Sequence, residues 1–147
     1  MKVKNILEKK GPEVITIGQN KSMLEAIKIL TANKIGALLV LSDNGRIGGI
    51  ISERDIVRNY PINHDHFHER PVSEIMTRDV IIVEPEDDIE YVESVMTHNR
   101  IRHLPVVSEK VLVGIISIGD VVNAMLRDKD STNKYLMDYI SGNIPKQ

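Results

Sequence analysis

The chain of 147 residues contains no cysteine, so disulfides, thiolate metal sites and cysteine nucleophiles are all excluded. It has a single phenylalanine and only 3% aromatic residues, so its core must be mainly aliphatic. It carries little excess charge, since 19 Lys and Arg against 21 Asp and Glu leave a net of −2. A dedicated nucleic-acid binder shows a strong basic excess, so no nucleic-acid partner is expected. No stretch approaches the ~20 apolar residues that cross a bilayer. The opening MKVKNILEKKG has no apolar run of the secretory-signal type. These absences point to a cytoplasmic protein with no membrane partner. Common enzyme signatures are also missing: there is no Walker loop, no HExxH, no Gly-x-Gly-x-x-Gly and no Ser-His-Asp set with a nucleophile elbow. What is present is 41% apolar and 27% charged residues, the balance of an ordinary globular domain long enough to build a core.

The chain repeats itself, and this is its most informative feature. VITIGQNKSMLEAIKILTANKIGALLVLS from Val14 matches VIIVEPEDDIEYVESVMTHNRIRHLPVVS from Val80, at an offset of 66. Further on, GIISERDIV from Gly49 matches GIISIGDVV from Gly114 at an offset of 65. The extra residue of the first copy falls in the turn Asp43-Asn44-Gly45-Arg46, where loops absorb insertions. Upstream, Val3, Ile6 and Leu7 match Val72, Ile75 and Met76.

Each copy predicts the same elements. A β-branched run (Val14–Ile17, Val80–Val83) reads as a strand. An amphipathic helix follows, with Ser22 and Glu25, or Asp87 and Glu90, as a capping box. Met23, Ile27 and Leu30 line one face in the first copy, and Ile89, Val92 and Met96 in the second. Two apolar strands come next, Ala37–Leu41 with Ile47–Ile51, and Leu104–Val107 with Leu112–Ile116. A helix begins after Ser52 or Ser117, which completes a β-α-β-β-α unit. Residues 131–141 predict one more helix, with Tyr135, Leu136, Tyr139 and Ile140 on its apolar face and Gly142 as its stop.

Both copies carry Gly-Ile-Ile-Ser-x-x-Asp, from Gly49 to Asp55 and from Gly114 to Asp120. A buried strand there delivers a serine to a helix start, where unpaired N–H groups and the dipole favour an anion such as phosphate. The aspartate one turn on can accept from the paired hydroxyls of a ribose. The glycine leaves room for a flat base to approach the backbone. A plainer reading stands beside this one: serine as N-cap, with an acid favoured by the dipole. For one copy the plain reading is the better; repetition in the same frame favours binding.

With these residues in place, the sequence resembles a tandem pair of CBS domains, the module named after cystathionine β-synthase, in its stand-alone form. The resemblance covers roughly Val3–Leu126 and rests on both motifs, on Arg102-His103-Leu104-Pro105-Val106-Val107 and on the internal repeat. It implies an α/β (α+β) fold of two β-α-β-β-α repeats related by a pseudo-twofold axis. Residues 1–60 form repeat 1, 61–71 a linker, 72–127 repeat 2 and 128–147 a C-terminal helix and tail. It implies two clefts for adenosine-containing ligands, AMP, ADP or ATP foremost, with S-adenosylmethionine or NAD-type molecules as alternatives. It further implies a homodimer, a regulated protein partner of unknown identity, no cofactor and no catalysis. Carried onto this chain, Asp55 and Asp120 hold ribose hydroxyls, and Ser52 and Ser117 meet ribose or phosphate. Thr77, Arg78 and Val80 contact base or phosphate, and Arg102 and His103 match basic phosphate-binding positions. Arg54 is placed to reach a phosphate, or to pair with Glu53 or Asp55. The first copy departs at Gly36-Ala37, which carry no charge, and at Lys9-Lys10-Gly11-Pro12, where the second has Thr77-Arg78-Asp79. The clefts are therefore expected to differ, with the Asp55 cleft the better site, lined by Arg78, Arg102 and His103. The competing expectation is a constitutive dimerisation scaffold whose Ser-x-x-Asp motifs only cap helices.

The remaining polar clusters read as structural. His64, His66 and His68 lie in a linker between Pro61 and Pro71, where solvation explains them better than metal binding. Lys9 and Lys10 suit the C-terminal end of a first helix.

Overall fold

The computed structural model describes residues 1–62 and 64–127. The helix expected over 131–141 lies outside the described residues. In chain order the elements are α1 (Val3–Lys10), β1 (Thr16–Gly18), α2 (Met23–Asn33), β2 (Ala37–Leu41), β3 (Ile47–Ser52), α3 (Glu53–Asn59), a short 3₁₀ turn (Phe67–Glu69), α4 (Val72–Ile75), α5 (Ile89–Asn99), β4 (His103–Ser108), β5 (Val111–Ser117) and α6 (Ile118–Arg127). They form two compact units. A central unit spans Val14–Ile81, and a split unit joins Met1–Glu13 to the chain from Ile82 onward.

In the central unit β1 runs parallel to β2, with α2 as the connection, and β2 pairs antiparallel with β3. Helix α2 starts where Ser22 accepts the Glu25 N–H at 3.2 Å. It ends at Lys34, which turns into the left-handed region at φ 53°. Met23, Ala26 and Leu30 face inward and close a core with Ile17, Leu38, Val40, Ile51, Phe67, Val72, Ile75 and Met76. The mixture is aliphatic apart from one ring, as the composition requires.

The split unit repeats this plan with one strand fewer among the described residues. Ile89, Val92 and Met96 of α5 pack with Leu104, Val106, Ile116 and Val121. The strand expected over Val80–Val83 is reduced to a single parallel bridge between Val83 and Val106. Two prolines explain the loss. Val83 makes its two ladder bonds, donating to Pro105 at 3.0 Å and accepting from Val107 at 2.9 Å. Pro105 has no N–H to offer a residue upstream of Val83. In the central unit the Gln19 N–H extends the ladder by donating to Leu41 at 2.9 Å. Pro85 stands at the matching position and has no N–H to give. The capping box expected from Asp87 and Glu90 is absent as well. Asp88 is the N-cap residue and makes no side-chain cap, while the Asp87 carboxylate accepts the Glu84 N–H at 2.7 Å.

The helices that precede the repeats are exchanged. Helix α1, which leads into the first copy, packs in the split unit, where Val3 and Ile6 join the core and the Val3 N–H donates to Asp87 at 3.0 Å. Helix α4, which leads into the second copy, packs in the central unit, where the Val72 N–H donates to Lys21 at 2.8 Å. The compact units therefore do not share boundaries with the sequence repeats.

Candidate functional site

Each unit delivers its Ser-x-x-Asp motif from the end of a strand to the start of a helix. In the central unit Ser52 is the N-cap of α3. Its hydroxyl accepts the Asp55 N–H at 3.2 Å and donates to Asp55 Oδ2 at 3.0 Å, while its own N–H donates to Oδ2 at 2.9 Å. This is a reciprocal capping box with aspartate in place of the usual glutamate. The remaining oxygen, Oδ1, accepts the Thr77 hydroxyl at 3.0 Å. Thr77 is held there by two backbone bonds with Ile50, both 2.9 Å. Arg78 donates to the Ser73 carbonyl at 2.9 Å, and the Val80 N–H donates to the Arg78 carbonyl at 3.0 Å. Arg54 is exposed in the first turn of α3.

In the split unit the Ser117 N–H donates to Asp120 Oδ2 at 2.9 Å, and the Ser117 hydroxyl accepts the Asp120 N–H at 3.1 Å. The partner of the carboxylate differs. The Lys10 ammonium reaches Asp120 Oδ2 at 2.7 Å and the Ile115 carbonyl at 3.0 Å. Partial burial pushes the Asp120 carboxyl up, but the Lys10 hydrogen bond, the Ser117 N–H and the Lys10 charge outweigh it and hold the group below its ordinary range. Asp120 and Lys10 also line an open groove of about 600 Å³ between α1 and α6, together with Asn5, Lys9, Asn123 and Arg127.

The two helix starts share one further feature. The first amide of α3, Glu53, donates to the Gly36 carbonyl at 3.0 Å, and that of α6, Ile118, donates to the Arg102 carbonyl at 2.8 Å. His103 pairs with Ser117 across β4 and β5. Thus Ser52, Arg54, Asp55, Thr77, Arg78 and Val80 lie in the central unit, and Arg102, His103, Ser117 and Asp120 in the split unit. The motif glycines also make room for neighbouring chain. A Cβ on Gly49 would stand 2.6 Å from the Thr77 carbonyl oxygen, and one on Gly114 would stand 2.6 Å from Leu7 Cδ2. Each glycine receives the segment of the exchanged helix. Lys10 is the site residue that sequence pattern does not reveal, because its partner lies 110 residues away. Among the described residues no cluster of three His, Asp or Glu side chains is arranged to hold a metal ion, and no helix is long and apolar enough to cross a membrane.

A duplicated α+β fold, with a serine and an aspartate presented at one helix start in each half, defines a class of tandem regulatory modules. The chain belongs to the CBS-domain family, which matches it twice, over residues 3–61 and 72–127. It is 35% identical over 125 residues to the mitochondrial CBS domain-containing protein CBSX3 of Arabidopsis thaliana; the match takes in 82% of this chain and 61% of that one. The chain thus spans about three fifths of that relative's length. The crystal structure of the CBS-domain containing protein ATU1752 from Agrobacterium tumefaciens superposes with a TM-score of 0.81 at 39% identity, over 84% of this chain and 92% of that one. The CBS domain pair of protein MJ0100, crystallised with 5′-methylthioadenosine and S-adenosyl-L-methionine, gives a TM-score of 0.76 at 31% identity, over 88% of this chain and 98% of that one.

Proposed function

We propose that this CBS pair is a sensor of adenine nucleotides, taking AMP, ADP or ATP. The observation that carries the reading is the duplicated cap: Ser52 with Asp55 and Ser117 with Asp120 repeat one arrangement at the starts of α3 and α6. A carboxylate so placed accepts a ribose diol, and the helix start beside it favours phosphate. The adenosine compounds bound by protein MJ0100 support the ligand class and keep S-adenosylmethionine as an alternative. Arg54 and Arg78 in the central unit and Arg102 in the split unit offer cations to a phosphate, and His103 offers an imidazole N–H. The signal is a population shift: ligand favours one of two states of a homodimer, and a protein partner reads that state. The shift is no larger than the ligand's preference between the states.

One observation favours the scaffold reading. Asp55 already accepts hydrogen bonds from the Ser52 N–H, the Ser52 hydroxyl and the Thr77 hydroxyl, so the motif is satisfied as a cap without ligand. Thermal shift separates the two, since a ligand specific to the folded state raises the melting temperature. The sensor reading expects a rise with AMP, ADP or ATP that Asp55→Ala removes. A flat response to these, to NADH and to S-adenosylmethionine selects the scaffold.

A further inference from the structure

The two aspartates differ in what competes for them. At Asp55 the competitor is the Thr77 hydroxyl, at 3.0 Å, while the Thr77 N–H takes the Ile50 carbonyl at 2.9 Å. At Asp120 one ammonium does both jobs. Lys10 Nζ lies 2.7 Å from Asp120 Oδ2 and 3.0 Å from the carbonyl of Ile115, the residue that matches Ile50. The ammonium is held in place from its own helix, because Leu7 of α1 packs over Gly114. Both partners are partly exposed, with side-chain exposures of 34% for Lys10 and 26% for Asp120.

We infer that Lys10 is a built-in stopper that closes the Asp120 half of the pair to nucleosides and leaves the Asp55 half as the open site. The inference rests on the nucleoside reading given above and deepens it. A ribose hydroxyl arriving at Asp55 exchanges one neutral hydroxyl for another, so little is lost. At Asp120 the ammonium holds Oδ2, so a ribose diol that takes both carboxylate oxygens must displace a charge-assisted bond, about twice as strong as a neutral one. It also leaves the Lys10 ammonium without its carboxylate. The discrimination against a neutral diol amounts to about fivefold in affinity. Lys10 therefore sets the number of ligands the chain takes.

The test is calorimetric titration of the full chain with AMP and, separately, with 5′-methylthioadenosine, which lacks phosphate. The wild type is expected to bind one equivalent that Asp55→Ala abolishes. Lys10→Met, and independently Lys10→Gln, is expected to gain a second equivalent or to strengthen a weak one about fivefold. Adding Asp120→Ala to either variant is expected to remove that gain. Lys10→Arg keeps the cation and stays at one equivalent, a rescue that a purely structural role of Lys10 does not require. Two equivalents in the wild type, one of them abolished by Asp120→Ala, or an unchanged single Asp55 site in both neutral variants, would overturn the stopper while leaving the nucleoside reading intact. Absence of binding by either probe to every variant overturns the nucleoside reading, and the stopper with it.

Discussion

Gly49 lies so close to Thr77 that a Cβ on the glycine would stand 2.6 Å from the Thr77 carbonyl oxygen and 2.7 Å from Met76 Sδ. The matching contact in the other unit is softer, since Gly114 faces only the branched end of Leu7. Backbone cannot yield as a side-chain tip can, so the two glycines are not equivalent. Gly49→Ala is expected to cost about 2 kcal/mol and Gly114→Ala about 1 kcal/mol or less. Urea unfolding of both variants measures the difference, and equal costs would contradict the contrast.

The exchange of α1 and α4 makes a prediction about which half each helix stabilises. Ile6 and Ile75 are both buried, at 8% and 5% exposure, and occupy matching repeat positions in opposite units. Truncation of either to alanine should cost about 2–4 kcal/mol. In hydrogen exchange, Ile6→Ala is expected to loosen α5, β5 and α6, and Ile75→Ala to loosen β2 and β3. The reverse pattern would show that each helix serves the repeat it precedes.

The Lys10–Asp120 pair carries a pH signature. The Asp120 carboxyl lies below its ordinary value of 3.8 when folded. Its contribution is therefore fully present above that value and is lost as pH falls through the lower folded value. Lys10→Met should cost up to about 1 kcal/mol near neutrality, the upper end for an ion pair that is partly exposed. The gap to the wild type should close as pH falls through the lowered Asp120 value. Glu86, lowered by hydrogen bonds from Lys4 and Lys2, loses its own contribution over the same acid range. That loss is common to both proteins and cancels in the comparison. A gap that persists in acid would assign the cost to packing of the lysine stem.

The serines are expected to matter without any ligand. Ser52→Ala and Ser117→Ala each remove a cap bond and should cost about 1 kcal/mol. The caps lie in separate units, so their costs should add. Denaturant curves of the single and double variants, recorded without nucleotide, check this. A serine that costs nothing in the absence of ligand would be held for binding alone.

The β4–β5 hairpin turns through Glu109 and Lys110, both left-handed at φ 49° and 67°. Neither side chain suits that region, whereas Asn-Gly does. Glu109→Asn with Lys110→Gly should stabilise the protein by about 1 kcal/mol, read as a rise in melting temperature. A fall would mean that the two side chains hold the hairpin in some other way.

Local pattern carried much of the fold. The 3.6-residue spacing of Met23 and Leu30 and of Ile89, Val92 and Met96 placed α2 and α5, and the apolar run at Ala37–Leu41 marked β2 residue for residue. Ser52 and Ser117 were legible as helix starts because a cap bond spans one turn. The lost strand at Val80–Val83 was not legible from its own β-branched residues. It depends on Pro105, a proline in the neighbouring strand, and on Pro85, whose effect appears only in the ladder.

By itself the sequence determined that there are two copies, roughly where most of their helices and strands lie, and that each copy ends a strand in a serine with an aspartate one turn on. These are properties of residues within a few positions of one another, and near neighbours suffice to set them. Tertiary structure alone decided that α1 and α4 change places, that Gly49 and Gly114 exist to receive them, and that Lys10 rests on Asp120. Two sheets built from related repeats compete for two helices with matching apolar positions. The choice between them is made by close packing and by an ion pair across 110 residues, neither of which leaves a period in the sequence.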